Sequence, residues 1–340
     1  MKKRRTELDL CRIAASVLVV LSHAGSDIYH AVPFDSLPFA GLCYLSTLTR
    51  GSVPAFFMIS GLLFLRRERI ELRPFLKNHV LHLTELFFVW SLVYALGSRV
   101  LSGAFGSVYD FFLSVAAGHY HMWFLPSMIL CYLFLPVLCG ALHGTKVDRR
   151  YLLFLFALFG LLWANLNLTP EPTYILHQLT VNLSLTDLPF LGYMLLGYLL
   201  AQREYPKKTL WIAGIGYFAV TLVGSACNHW YSFHRGFADG WLFSFYSIPS
   251  FLQAVCLFCF FLALKDHEFR HAKLISTLSD CTLGVYLVHP LVKNVLEALG
   301  VTVSLAHPVL SLLGFTALLV TISFALIFAA KKIPIVKRFM

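Results

Sequence analysis

Ten separate stretches of this chain are long and apolar enough to demand a bilayer. Inside one, every backbone N–H and C=O must be satisfied within the segment itself, so the sequence has little choice but a bundle of helices. The stretches fall at 8–24, 45–65, 78–99, 122–143, 151–167, 188–202, 209–226, 243–264, 281–299 and 308–330. Composition agrees, with 58% hydrophobic and only 13% charged residues, where soluble domains run near 45–50% and about 25%. The expectation is an all-α, polytopic integral membrane protein of about ten transmembrane helices, forming one integral domain over 1–340.

Charge gives a separate reading of topology. The chain holds 27 Lys+Arg against 17 Asp+Glu, for a net charge of +10. With the N-terminus placed inside, 22 of these cations fall on cytoplasmic segments, as the positive-inside rule requires. Arg50, Arg99 and Arg235 fall outside, and Arg12 and Lys293 lie within spans. Both termini are therefore expected in the cytoplasm. Because the cations come in short clusters between apolar runs, no nucleic-acid partner is expected. Asp9 and Arg12 interrupt the first apolar run, which argues against a cleaved signal. The eight cysteines sit mainly in spans and suggest neither a disulfide framework nor a zinc ribbon.

Charges inside spans are costly, so they mark functional candidates. The first segment carries Asp9, Arg12, Ser16 and His23. From Arg12 to His23 is eleven residues, which on an α-helix leaves about 20° of angular offset and about 16 Å of rise. The four polar side chains thus form one stripe. The bland alternative is an interfacial Asp9–Arg12 pair and a capping histidine.

The third segment begins Lys77-Asn78-His79-Val80-Leu81-His82-Leu83-Thr84-Glu85, which sets His79, His82 and Glu85 at i, i+3 spacing. Such a ladder could hold an anion or a metal, or be satisfied within the bundle. No matching ligand cluster stands elsewhere, so no metal is expected. His119, His121 and Trp123 cluster at the mouth of the fourth segment, and His289-Pro290 stands in the ninth, one turn before Lys293. Outer loops are expected at 25–44, 100–121, 168–187 and 227–242. The last, with Asn228, His229, His234, Arg235 and Asp239 among Trp230, Tyr231, Phe233 and Trp241, suits sugar binding or an ordinary aromatic belt.

Four motifs in order resemble the membrane acyltransferase-3 family. They are Arg12 and His23 in the first helix; Arg50-Gly-Ser-Val-Pro-Ala-Phe-Phe-Met-Ile-Ser60-Gly61 in the second; Tyr120-His121-Met-Trp123-Phe-Leu; and Leu283-Gly-Val-Tyr286-Leu-Val-His289. The size and the Phe237-Ala-Asp239-Gly-Trp241 stretch are most similar to the inner-membrane O-acetyltransferases of enterobacterial common antigen and O-antigen. The resemblance implies a multi-pass protein of the bacterial inner membrane that uses cytoplasmic acetyl-coenzyme A as donor, with no permanently bound cofactor. The acceptor it implies is a surface glycan or its undecaprenyl-linked precursor. Many members carry Arg-x-x-Arg where this chain has His79-x-x-His82. The coenzyme phosphates would then fall to imidazoles, with help from Lys77 or the 66–73 cluster.

On this resemblance His23 is the expected base, since an imidazole ordinarily titrates near 6.5. Arg12, oriented by Asp9, would anchor the donor, and Ser60 would join the catalytic group. Arg12, Lys77, His79 and His82 would bind the coenzyme. His121, Trp123, Arg235, Asp239 and His289 would contact the acceptor. The rise of about 16 Å from Arg12 to His23 is comparable to a pantetheine arm, and a covalent relay through histidine or Ser60 stays open. The competing classes are a transporter or flippase and an assembly subunit for a cell-envelope glycan; two inverted halves with broken helices would favour transport.

Overall fold

The computed structural model describes residues 4–103, 107–148, 150–152, 154–155 and 187–339. Among these residues the chain is helical, with no strand. Eight stretches are long and apolar enough to cross a membrane: 6–31, 37–64, 72–100, 124–143, 208–235, 241–262, 272–298 and 308–330. Against about ten expected, eight are therefore seen among the described residues. The segment expected at 151–167 lies mostly outside them. The one expected at 188–202 is an eleven-residue helix, Phe190–Leu200, which at 1.5 Å per residue covers about 16 Å, half a bilayer core.

The helices used below are α1 (Thr6–Ala24), α2 (Ser26–Ala31), α3 (Leu37–Leu48), α4 (Ser52–Phe64), α5 (Leu72–Phe75), α6 (Leu81–Ser102), α7 (Val108–Ala117) and α8 (Phe124–His143), followed by α9 (Phe190–Leu200), α10 (Lys208–Arg235), α11 (Ile248–Leu262), α12 (Ala272–Ala298) and α13 (Pro308–Ala330). Of the expected outer loops, 168–187 lies almost wholly outside the described residues, 100–121 holds α7, and two more are largely helical. Residues 25–44 form α2 and the start of α3, and α10 runs on to Arg235. The reason for the second lies in periodicity: Thr221, Gly224, Ser225, Asn228 and Ser232 recur at helical spacing and are all buried.

The chain groups into two compact units, Met1–Ile59 with Leu199–Met340, and Ser60–Tyr198. In the first unit α1 packs on α12 and α13, and α10 packs on α3 and α11. Gly25 ends α1, and a Cβ there would meet Leu312 of α13 at 3.1 Å. On α10 the exposed positions include Trp211, Ile212, Ile215, Phe218, Leu222 and Val223, while Thr221, Asn228 and Ser232 are fully buried. Apolar outside and polar inside is the pattern of a helix solvated by lipid.

In the second unit Gly61 fixes the approach of α4 to α9. A Cβ at Gly61 would lie 1.9 Å from the backbone oxygen of Met194, so only glycine fits. Between α5 and α6 the chain makes a π-helical turn, Leu76–Val80, a device that often marks functional positions.

Candidate functional site

The first unit carries the polar stripe of α1, which is continuous from Thr6 to Ala24 and so places Asp9, Arg12, Ser16 and His23 on one helix as expected. Asp9 is 1% exposed and accepts from four sources. Arg4 reaches it with Nε at 2.6 Å and Nη2 at 3.1 Å, Arg12 Nη1 at 3.0 Å and Ser279 Oγ at 2.8 Å. Arg4 also bonds Asp280 at 2.7 Å and the Ser276 carbonyl at 3.2 Å. Hydrogen bonds to Asp9, then to Asp280, push the Arg4 pKa up. Asp9 does contact Arg12, but it is shared, and its larger share goes to fastening α1 to α12.

At the other end of α1, His23 Nδ1 lies 2.7 Å from His289 Nε2 on α12. The His289 Nδ1 atom faces the carbonyls of Tyr286 at 2.9 Å and Val285 at 3.1 Å. Carbonyls only accept, so Nδ1 of His289 carries its proton, and a neutral His289 presents a lone pair at Nε2. His23 must then donate from Nδ1, which puts the lone pair of a neutral His23 on Nε2. His289 thus fixes the tautomer and the ring orientation of His23, the service that a carboxylate performs in a hydrolytic triad. One turn beyond, Lys293 is paired with Asp27 at 2.5 Å and with Glu297 at 3.6 Å.

Charge sorting of the sequence set Arg50 aside as an outside cation, but it stands in the turn between α3 and α4 and is partly buried. Its Nε donates to the Ser46 carbonyl at 2.9 Å and its Nη2 to Ser22 Oγ at 3.2 Å, beside His23. The guanidinium lies 4.6 Å over the ring of Phe243. Its exception to the charge rule was the available signal.

Arg235 and Asp239 form a loose pair at 3.9 Å. The Asp239 carbonyl accepts from Asn228 at 2.8 Å, Tyr29 at 2.9 Å and Ser232 at 3.2 Å, and its carboxylate accepts from the Trp241 N–H at 2.8 Å. These bonds pin the loop after α10. Arg235 lies over the rings of Tyr231 and Phe237.

In the second unit Ser60 is 3.3 Å from the Tyr132 hydroxyl. His79, on the π turn, stands among Phe64, Phe75 and Tyr132, with ring centroids at 4.8, 5.2 and 6.3 Å. A cavity of about 470 Å³ opens there, lined by Arg67, Arg69, Glu71, Pro74, Phe75, Asn78 and His79. A neighbouring cavity of about 400 Å³ adds Arg73 and Lys146. Lys77 and His82 are on neither lining. The i, i+3 ladder assumed a regular α-helix, whereas the chain there is π-helical over Leu76–Val80, and of the two histidines only His79 is on the cavity lining.

His119 and His121 face each other Nδ1 to Nδ1 at 2.8 Å, and His119 stacks on Tyr94 at 4.1 Å. Burial pushes the His119 imidazole down to about 4. His121 is 1% exposed, so it sits within the unit rather than at its surface. Trp123 stacks on Phe190 at 6.1 Å.

Set beside known proteins, residues 5–328 match the acyltransferase-3 family, described as an acyltransferase domain. A curated relative, an amino-acid racemase of Enterococcus faecalis, is 26% identical over 321 residues. The alignment takes in 88% of this chain and 42% of that protein, so the chain spans less than half the length of this relative. No solved structure matches the chain.

Proposed function

The chain belongs to the acyltransferase-3 family of membrane acyltransferases, and from that premise we propose that it moves an acetyl group from acetyl-coenzyme A to a hydroxyl of a cell-envelope glycan. The observation that carries this reading is the His23–His289 pair, which holds the imidazole of His23 in the tautomer whose lone pair is on Nε2. His23 Nε2 takes the proton of the acceptor hydroxyl as its oxygen attacks the thioester carbonyl. The tetrahedral intermediate then collapses, the C–S bond breaks, and the coenzyme leaves as a thiol with the proton that His23 carried. Charge on the imidazolium is shared with His289 Nε2 through the 2.7 Å hydrogen bond.

The basic cavity at the π turn suits the head of the coenzyme. Arg67, Arg69 and Asn78 offer donors to phosphate, and His79 offers a flat face to a purine. In the first unit Arg12 keeps donors beyond its bond to Asp9, which suit a carbonyl or phosphate oxygen. With 22 of 27 cations on one side, the reading places both termini in the cytoplasm of a bacterial inner membrane, and the acceptor is a lipid-linked or O-antigen-type glycan at the outer face.

Purified protein incubated with labelled acetyl-coenzyme A and undecaprenyl-linked glycan tests the reading. We expect label to pass to the glycan with wild type and to fall by about 10²–10⁴-fold with His23→Ala, the usual worth of a general base. Full transfer by His23→Ala, or none by wild type, would sink it.

A further inference from the structure

We infer that Arg50 is a binding site for an anionic oxygen pair, carboxylate or phosphate, on the acyl acceptor; this rests on the acyl-transfer reading above. The guanidinium has five N–H groups. Two are used, on the Ser46 carbonyl and Ser22 Oγ, which leaves two on Nη1 and one on Nη2. Those atoms share the end of the guanidinium, where a fork of parallel N–H groups fits two oxygens of one anion.

No carboxylate lies within ion-pair distance of Arg50 among the described residues. A permanently charged side chain held in a membrane bundle without a counter-ion is costly, and such residues mark substrate pathways. The other cations of this unit near the histidine pair and the loop are already matched: Lys293 by Asp27 and Glu297, and Arg235 by Asp239. Arg50 is the one whose charge is left for a ligand.

The site is also rigid. Phe243, on which the guanidinium lies, packs against Tyr29 with ring centroids 5.3 Å apart. A Cβ at Gly240 would strike Phe243 at 2.8 Å, so glycine there lets the ring seat. The loop before it is pinned at the Asp239 carbonyl by Asn228, Tyr29 and Ser232. Through Ser22 the guanidinium is tied to the residue next to His23. An anionic group held by Arg50 would therefore bring its molecule to the base. Arg50 is a positioning residue for an acidic acceptor.

The test uses the full chain in nanodiscs and follows binding of glucuronic acid, glucose-6-phosphate and glucose by ligand-observed NMR. One or both charged sugars should bind while glucose does not, and Arg50→Gln should weaken that binding about tenfold or more. Binding of glucuronic acid alone assigns a carboxylate; binding of glucose-6-phosphate alone assigns a phosphate. Arg50→Lys, which keeps the charge and loses the fork, should lie between, and carries the test if Arg50→Gln does not fold. Equal binding of glucose, unchanged binding in a folded Arg50 variant, or no charged sugar bound at all overturns the proposal. Charged-sugar binding without acetyl transfer strikes the acyl-transfer reading and leaves the site standing.

Discussion

His23 and His289 stand 266 residues apart in the chain and 2.7 Å apart at their facing nitrogens, with rings inclined by only 13°. A proton on one is felt by the other. His289→Ala should lower acetyl transfer by about 10²-fold, since His23 loses both its fixed tautomer and the partner that shares the imidazolium charge. His289→Gln, whose amide oxygen can accept from His23 Nδ1, should retain more activity than His289→Ala. The double variant with His23→Ala should be no worse than His23→Ala alone, because the two act as one unit. Additive losses would separate them.

Gly61→Ala should damage folding and spare the chemistry's logic. The new methyl would overlap the Met194 backbone oxygen, and backbone cannot swing aside, so the cost exceeds the usual 1–3 kcal/mol of overpacking. Ser60→Ala loses a single 3.3 Å contact with Tyr132, about 1 kcal/mol. Unfolding in detergent should rank the two clearly. If Ser60→Ala is stable but inactive, Ser60 takes part in the reaction.

Asp9→Asn removes the charge that holds Arg4, Arg12 and Ser279 together. A fully buried pair broken on one side costs about 3–5 kcal/mol. Arg4 and Arg12 keep 46% and 27% of their side chains exposed, so solvent recovers part of this and about 2 kcal/mol is expected. Thermal melting of the purified variant measures it, and an unchanged melting point would contradict the fastening role.

For the donor, His79→Ala and Arg69→Ala should raise the dissociation constant of coenzyme A severalfold, and the Arg69 effect should grow at low salt, where charge is less screened. His82→Ala should leave it unchanged, because His82 is not on the lining of the cavity. Isothermal titration with coenzyme A reads both; an equal effect of the two histidines would restore the unbroken ladder.

His119 sets a pH window. Its imidazole is held near 4 by burial, against an ordinary value near 6.5, so as pH falls the unfolded chain takes up the proton first. The stability that neutral His119 contributes is complete above about 6.5 and is lost between there and about 4. Melting temperature should drop across that window, and His119→Phe, which keeps the stack on Tyr94, should flatten the drop.

What the sequence could reveal divides by range. The stripe on α1 was legible because a helix is a local structure, and eleven residues fix a face by arithmetic alone. His289 was visible as a histidine in a span, but its partnership with His23 joins two helices and leaves no period to read. Arg50 was counted as an outside cation and stood at the head of the second motif, but it was given no role, since a charge tally says which side a cation occupies and nothing about whether it has a partner. The stretch 227–235 looked like a loop because its tryptophans and histidines resemble an interfacial belt; the small buried residues at helical spacing pointed to helix. The π turn at Leu76–Val80 has no compositional mark, so it emerged only from the backbone.

The contacts of Asp9 have a mechanical meaning for His23. Helices α1 and α12 run side by side and are tied twice, by Arg4, Asp9, Ser279 and Asp280 near one end and by the two imidazoles near the other. The ties on α1 are fourteen residues apart, about 21 Å along the axis. A slide of one residue, about 1.5 Å, would break both sets together. The two helices therefore behave as a strut of fixed register, and whatever opens to admit donor and acceptor must hinge elsewhere, carrying the imidazoles as a rigid cargo.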